Sequence, residues 1–310
     1  MPDRLHRQSE NATVLSAGEA VRALPVRART RLLFDLLAEA GATGIVIPGE
    51  NGEIEGYLAD RTIALKYLKN KSWAIETVWM MQAIFARRGA GSWIDLGANI
   101  GTTVIPAALV GASCHAVEAD PANLVLLRRN IARNGVTGRV MVHDAAVWDE
   151  NTTLIFEQAP SNLGDHRVRA TEPDEENAYG ESSRSTIEVS AFRLDTLIDP
   201  FSLQGPVIVK LDIQGAEAHA LAGGDALFKR ADLAFLEYWP YGFRRLGTTP
   251  EALFRHIGNY FSHAALMSDD KMPDAIDLVP FAEITHRLLT AEAANAVVAL
   301  DLVLSKSATL

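Results

Sequence analysis

The stretch WIDLGANIGTT, residues 93–103, decides how the chain is read. Trp93, Ile94 and Leu96 favour a buried strand, and Gly97, Asn99 and Gly101 then crowd a turn that leads into a helix of small residues. Glycines at such a turn let the backbone come close to a ligand, and the following helix offers free N–H groups. The dinucleotide fingerprint G-x-G-x-x-G, counted from Gly97, would need glycine at positions 99 and 102, where the chain has Asn99 and Thr102. A nucleotide-like ligand fits the turn; a nicotinamide cofactor is the weaker candidate.

Outward from this turn, short apolar strands alternate with helices. SWIDL (92–96) precedes a helix over 102–109, and CHAVEA (114–119) precedes a helix that Asp120 can cap, with Pro121 at its first position and Gly135 past its end. RVMVHDA (139–145), PVIVKLD (206–212) and ADLAFLEY (231–238) complete five strands, with helices in AEAHALAGG (216–224) and PEALFRHIGNYF (250–261). This alternation predicts an α/β fold, a Rossmann-like and mostly parallel sheet with helices on both faces. AVVALDLVLSK (296–306) predicts a last, antiparallel strand at or near an edge. Between 149 and 199 the rhythm breaks: TTLIF and STIEVSAF predict antiparallel strands around TEPDEENAYGESSRS (171–185), a run too charged to pack and expected to be a mobile loop.

Toward the N-terminus, residues 1 to about 30 read as a leader or frayed arm. RTRLLFDLLAEAGATG (29–44) predicts an amphipathic helix closed by Gly41, and GIVIPGENGEIEGYLA (44–59) a hairpin turning on Glu50, Asn51 and Gly52. These form a small α+β cap over 1–70, ahead of a catalytic domain over 71–310 that opens with a helix over 73–88 stopped by Gly89.

Composition narrows the function. The 310 residues are 48% hydrophobic, enough for one large core. A formal charge of −10 leaves no broad basic face for a phosphate backbone, so no nucleic-acid partner is expected. The single cysteine, Cys114, reads as a small buried hydrophobe and excludes an internal disulfide, and no run reaches the length of a membrane span. A cytoplasmic protein with no membrane partner is expected; oligomeric state is left open.

Each of the five strands finishes on a carboxylate: Asp95, Glu118, Asp144, Asp212 and Glu237. The carboxyl ends of an open parallel sheet face one crevice, so these acids are expected around one pocket. The pattern Asp95-x-Gly97-x-Asn99-x-Gly101 resembles motif I of class I S-adenosylmethionine-dependent methyltransferases. The resemblance implies S-adenosylmethionine as cofactor, with its methionine portion on the turn. It also implies that Glu118, 23 residues after Asp95, accepts from the ribose hydroxyls, that Asp144 accepts from the adenine amino group, and that the N–H of Ala145 meets a ring nitrogen.

With AVEADPANLVLLRRNIARNG, SNLGDHRV, LDTLI, VIVKLDIQGAEAHALAGG and ALDLVLSK, the chain from about 72 to 306 looks like the FkbM family of methyltransferases, most of which are taken to act on oxygen. The block Lys210-x-Asp212-x-x-Gly215-x-Glu217 is the most specific part, with Gln214 where that family more often has an acid. Glu76 lies where FkbM-like chains often carry an acid contacting the cofactor.

For chemistry, Asp212 or Glu237 is the expected base toward an acceptor hydroxyl, with His143, His166 and His219 as alternatives. Glu217 also suits the start of a helix, where the dipole favours its charge. No metal is expected, since no Asp-Asn pair follows the fifth strand. EYWPYGF (237–243) could wall the acceptor or form a hydrophobic lid. The resulting expectation is O-methylation of a small molecule or sugar; methylation of RNA or protein, and a non-catalytic cofactor-binding scaffold, are the alternatives.

Overall fold

The computed structural model describes residues 17–170, 180–267, 276–293 and 299–309. The first part of the expected leader, and residues 171–179 of the expected mobile loop, lie outside the described residues. The chain opens with helices Ala17–Ala23 and Val26–Glu39, the second followed by Gly41 at φ 83°. A hairpin of β1 (Gly44–Gly49) and β2 (Gly52–Tyr57) comes next, then helices Ile63–Asn70 and Ile75–Arg88. The main sheet starts with β3 (Ser92–Leu96), β4 (Ser113–Glu118) and β5 (Val140–Asp144). A side sheet follows, of β6 (Ala146–Trp148), β7 (Thr152–Gln158), β8 (Arg167–Val168) and β9 (Ser185–Arg193). The chain then returns to the main sheet with β10 (Val207–Leu211), β11 (Leu233–Tyr238), β12 (His263–Leu266), β13 (Val279–Pro280) and β14 (Leu300–Ser305).

Across the main sheet the order is β13-β12-β14-β11-β10-β3-β4-β5. β11, β10, β3, β4 and β5 are parallel, whereas β14 runs antiparallel to both β11 and β12. The last strand is therefore two places in from the edge. Strand order reverses between β3 and β10, so their carboxyl ends diverge into connections on opposite sides and leave a crevice.

The period-two pleat sorts side chains onto two faces. Ile94, Leu96, Val209, Leu211, Ala234 and Leu236 join one apolar cluster with Leu221 and Phe243; Trp93, Ile208 and Phe235 join the other with Met81 and Ile105. Both clusters are closed by helices, which is why β3 and β10 are buried along their whole length. The helix Pro121–Arg133 starts on Asp120, whose Oδ1 accepts from the N–H groups of Ala122 and Asn123, and Pro121 fills a position that needs no donor.

The hairpin docks through its turn residue Asn51 and through β2, where the N–H groups of Glu53 and Glu55 donate to Asn134, at the end of the helix Pro121–Arg133, and to Asn130 within it. Asn51 is fully buried; its Nδ2 donates to Thr102 O at 2.6 Å and Trp73 O at 2.8 Å, and its Oδ1 accepts from Trp73 N–H at 3.0 Å. Ile47, Ile54, Ile63 and Tyr67 of the N-terminal segment share the apolar cluster of Trp93 and Ile105, which sets the hairpin beside the turn after β3.

Candidate active site

A cavity of about 400 Å³ opens at the carboxyl ends of the parallel strands. The turn after β3 forms one wall. Gly97 has φ 80° and Asn99 φ 50°, both left-handed, so the chain reverses sharply here. The glycine at 97 is also required by the neighbouring strand: a Cβ there would lie 2.0 Å from Asp212 O. Gly101, at φ 98°, is crowded by Ile105 and Leu127 and does not line the cavity. These two glycines thus serve protein packing, beyond any approach of a ligand.

Glu118 closes β4 and ties the turn to it. Its Oε2 accepts from Asn99 N–H at 2.9 Å, and its Oε1 accepts from the N–H groups of Ala119 and Asp120 at 3.0 and 2.7 Å. Burial pushes its carboxyl up to about 7, against the pull of those backbone donors. A carboxylate has about four acceptor sites, so capacity remains for a ligand hydroxyl.

At the other end, Lys210 on β10 stands 3.3 Å from both Asp95 Oδ1 and Asp212 Oδ2. Burial disfavours its charge, but the carboxylates of Asp212 and Asp95 outweigh that and hold the ammonium above the usual lysine range. Asp95 lies fully buried behind the turn, outside the cavity lining, where its Oδ2 accepts from Thr103 Oγ1 at 2.5 Å. Asp212 reaches the cavity with 38% of its side chain exposed. Gln214, also lining it and left-handed at φ 57°, donates from Nε2 to Asp212 Oδ1 at 2.9 Å and to Glu237 Oε2 at 2.8 Å. Burial, and then the charges of Asp212, Glu217 and Asp301, raise the Glu237 carboxyl well above the carboxylate range. Glu217 is buried beneath, with Oε1 accepting from Ile213 N–H at 3.0 Å, and burial pushes it up to about 8.

The cavity therefore gathers Gly97, Asn99, Glu118, Ala145, Asp212 and Glu237. It does not include Glu76, which is half-exposed in the first turn of its helix. Asp144 is also outside: β5 is the edge strand, and the Asp144 side chain, 52% exposed, pairs with Arg128. Ala145 lines the cavity, but its N–H donates to Glu118 O at 3.0 Å and His143 O at 3.1 Å, so it is not available to a ring nitrogen.

Of the three histidines, His166 alone lines the cavity; His143 faces His115, with a ring nitrogen separation of 3.0 Å, and His219 pairs with Asp149. In 237–243 only Glu237 and Trp239 line it, while Tyr238 and Phe243 are core residues and Pro240–Arg245 is a helix. Trp239 lies under the Arg167 guanidinium, 5.4 Å from the ring centroid. Arg167, fully buried, also pairs with Glu157, Asp165 and Glu181. Sequence reasoning gave no role to Lys210, Asn123 or the segment 162–165, all of which line the cavity; within SNLGDHRV only His166 stood out, as an alternative base.

An open α/β sheet with one antiparallel strand inserted beside β11, and a cavity between the turn after the first parallel strand and the acid ending the second, is the architecture of the class I S-adenosylmethionine-dependent methyltransferases. More narrowly, the chain belongs to the methyltransferase FkbM domain family, whose model matches residues 95–265. Comparison with curated proteins gave no match. Among solved structures, the chain is similar to the methyltransferase FkbM from Methylobacillus flagellatus, with 16% identity, TM-score 0.41, and coverage of 77% of this chain and 52% of that one. It is also similar to precorrin-6y C5,15-methyltransferase from Geobacter metallireducens (11% identity, TM-score 0.34, 74% and 87% covered). A third is the T. thermophilus 16S rRNA N2 G1207 methyltransferase (11% identity, TM-score 0.40, 85% and 50% covered). The chain thus spans about half the length of the first and third. Among the described residues, no helix is long and apolar enough to cross a membrane.

Proposed function

We propose that this methyltransferase acts on a hydroxyl group of a neutral small molecule or sugar, with Asp212 as the base. The observation that carries this reading is the charge balance beside Asp212. Its one cationic neighbour among the described residues, Lys210, is shared with buried Asp95, so the two carboxylates and the ammonium together leave a net negative charge. Such an end repels an anionic acceptor and leaves a hydrogen-bonding carboxylate for a hydroxyl proton.

S-adenosylmethionine supplies an electrophilic methyl group on its sulfonium. The residues of this chain bind and orient: the turn Gly97–Asn99 and Glu118 hold the amino-acid and ribose portions, and Asp212 takes the proton from the acceptor oxygen. Lys210 and Gln214 each occupy one Asp212 oxygen and so fix its plane. Glu237, whose burial favours the protonated form, serves as a hydrogen-bond donor rather than a second base. His166 does not compete, because its Nδ1 already accepts from Ala159 N–H at 2.9 Å.

The test is methyl transfer from a labelled donor to a panel of neutral, anionic and cationic hydroxyl compounds, read by mass spectrometry. Asp212→Asn is expected to lower turnover about 10²- to 10⁴-fold, the usual worth of a general base, while S-adenosylhomocysteine affinity by calorimetry changes little. Undiminished turnover in that variant, or transfer only to nitrogen, refutes the reading.

A further inference from the structure

Two polar groups in the cavity wall have hydrogen-bonding capacity unmet among the described residues, and the proposal above does not use it. Asn123, in the first turn of the helix Pro121–Arg133, is 1% exposed and lines the cavity. Its Nδ2 donates to Leu163 O at 3.0 Å, which fixes the amide, and its Oδ1 is buried with no hydrogen-bond partner among the described residues. A buried amide oxygen without a protein donor is rare, so it takes its donor from a ligand or a water in the cavity.

His166 supplies the opposite capacity. With Nδ1 accepting from Ala159 N–H, the proton of the neutral ring is on Nε2. Asp120 Oδ2 is 3.8 Å from that nitrogen, beyond hydrogen-bond reach, and already accepts from Gln158 Nε2 at 2.5 Å. Burial lowers the His166 pKa, which favours the neutral ring. The two residues meet around Asp120, since its other oxygen accepts from Asn123 N–H at 2.9 Å. Around them the cavity wall is apolar, with Ala119, Phe156, Leu163 and Val168.

One fixed acceptor, one fixed donor and apolar walls complement a flat heteroaromatic ring with an amino group next to a ring nitrogen, the pattern on the edge of adenine. The groups that the family resemblance assigns to that base are engaged elsewhere: Asp144 pairs with Arg128 outside the cavity, and the Ala145 N–H is bonded within the protein. We propose that Asn123 Oδ1 accepts from the exocyclic amino group of the cofactor's adenine and that His166 Nε2–H donates to an adjacent ring nitrogen. This rests on the cavity holding the adenosyl cofactor.

The experiment compares S-adenosylhomocysteine with S-inosylhomocysteine by calorimetry on the full chain. The inosyl base has a carbonyl at C6 and a hydrogen on N1, so it inverts both contacts. The wild-type protein is expected to prefer the adenosyl ligand by about tenfold or more, the worth of one or two hydrogen bonds. Asn123→Leu should weaken the adenosyl ligand about tenfold and leave the inosyl ligand nearly unchanged; His166→Phe provides the same test on the second contact. Equal wild-type affinity for the two ligands overturns the inference without any variant. Equal loss of both ligands in a folded Asn123→Leu protein also overturns it, because a ribose contact or a general disturbance would give that result. A wild-type protein that binds neither overturns the cofactor site itself, and this inference with it.

Discussion

The backbone N–H of Asn99 donates to Glu118 Oε2 at 2.9 Å, so the turn after the first parallel strand is held by the acid that ends the second. Glu118 is thus a fastener of the site as well as the proposed acceptor for the ribose. Replacing it by alanine frees three backbone donors, those of Asn99, Ala119 and Asp120. Glu118→Ala is expected to cost about 1–3 kcal/mol in cofactor binding and to lower the urea midpoint of the free protein as well. A variant that loses binding at unchanged stability would show that the fastening role is negligible.

Lys210 neutralises an acid that has no access to water. Lys210→Met should destabilise the fold by about 3–5 kcal/mol, because Asp95 is left as an unpaired buried charge. Adding Asp95→Asn to that variant should recover much of the loss. Urea unfolding of the single and double variants checks this, and strict additivity would refute it.

Glu217 makes stability depend on pH in a defined direction. Its carboxyl in the fold is pushed up to about 8 by burial, above its value in the unfolded chain. The folded state therefore keeps a proton that the unfolded chain has released, and stability falls as pH rises from about 5 to about 8. Glu118, raised to about 7, acts with the same sign. Glu217→Gln, which mimics the protonated form, should leave stability near pH 5 little changed and raise it near pH 8 by on the order of a kcal/mol or more. Denaturation curves at the two pH values decide the matter, and an unaltered pH slope would refute the assignment.

Gly97 and Gly101 should respond unequally to alanine. At Gly97 the new methyl would meet the carbonyl oxygen of Asp212 at 2.0 Å, a backbone atom that cannot move alone. At Gly101 it meets the flexible ends of Ile105 and Leu127 at 2.9 and 3.0 Å. Both carry positive φ, so both are strained. Gly97→Ala is expected to cost more, about 3 kcal/mol or above against about 1–2 kcal/mol for Gly101→Ala, as measured by thermal unfolding.

Gln214 donates to both Asp212 and Glu237 and so holds the Asp212 carboxylate in place. Gln214→Leu, which removes both donations, should lower turnover about tenfold while S-adenosylhomocysteine affinity changes little. Steady-state methyl transfer with calorimetry checks this, and undiminished turnover would count against the bridge.

Sequence alone set the elements whose cause is local. Asp120 with Pro121 at a helix start, Gly41 and Gly89 at helix ends and Asn51-Gly52 in the hairpin each act on neighbouring residues, and the alternation of apolar strands with helices set the parallel sheet. The helix Pro240–Arg245 was hidden because its six residues carry no turn of periodicity beyond their aromatics. The side of the sheet edge on which Asp144 falls, the bridge made by Gln214 and the unpartnered oxygen of Asn123 were decided by tertiary structure. Those features join residues tens of positions apart, and no local propensity reports which donor meets which acceptor once the strands have packed.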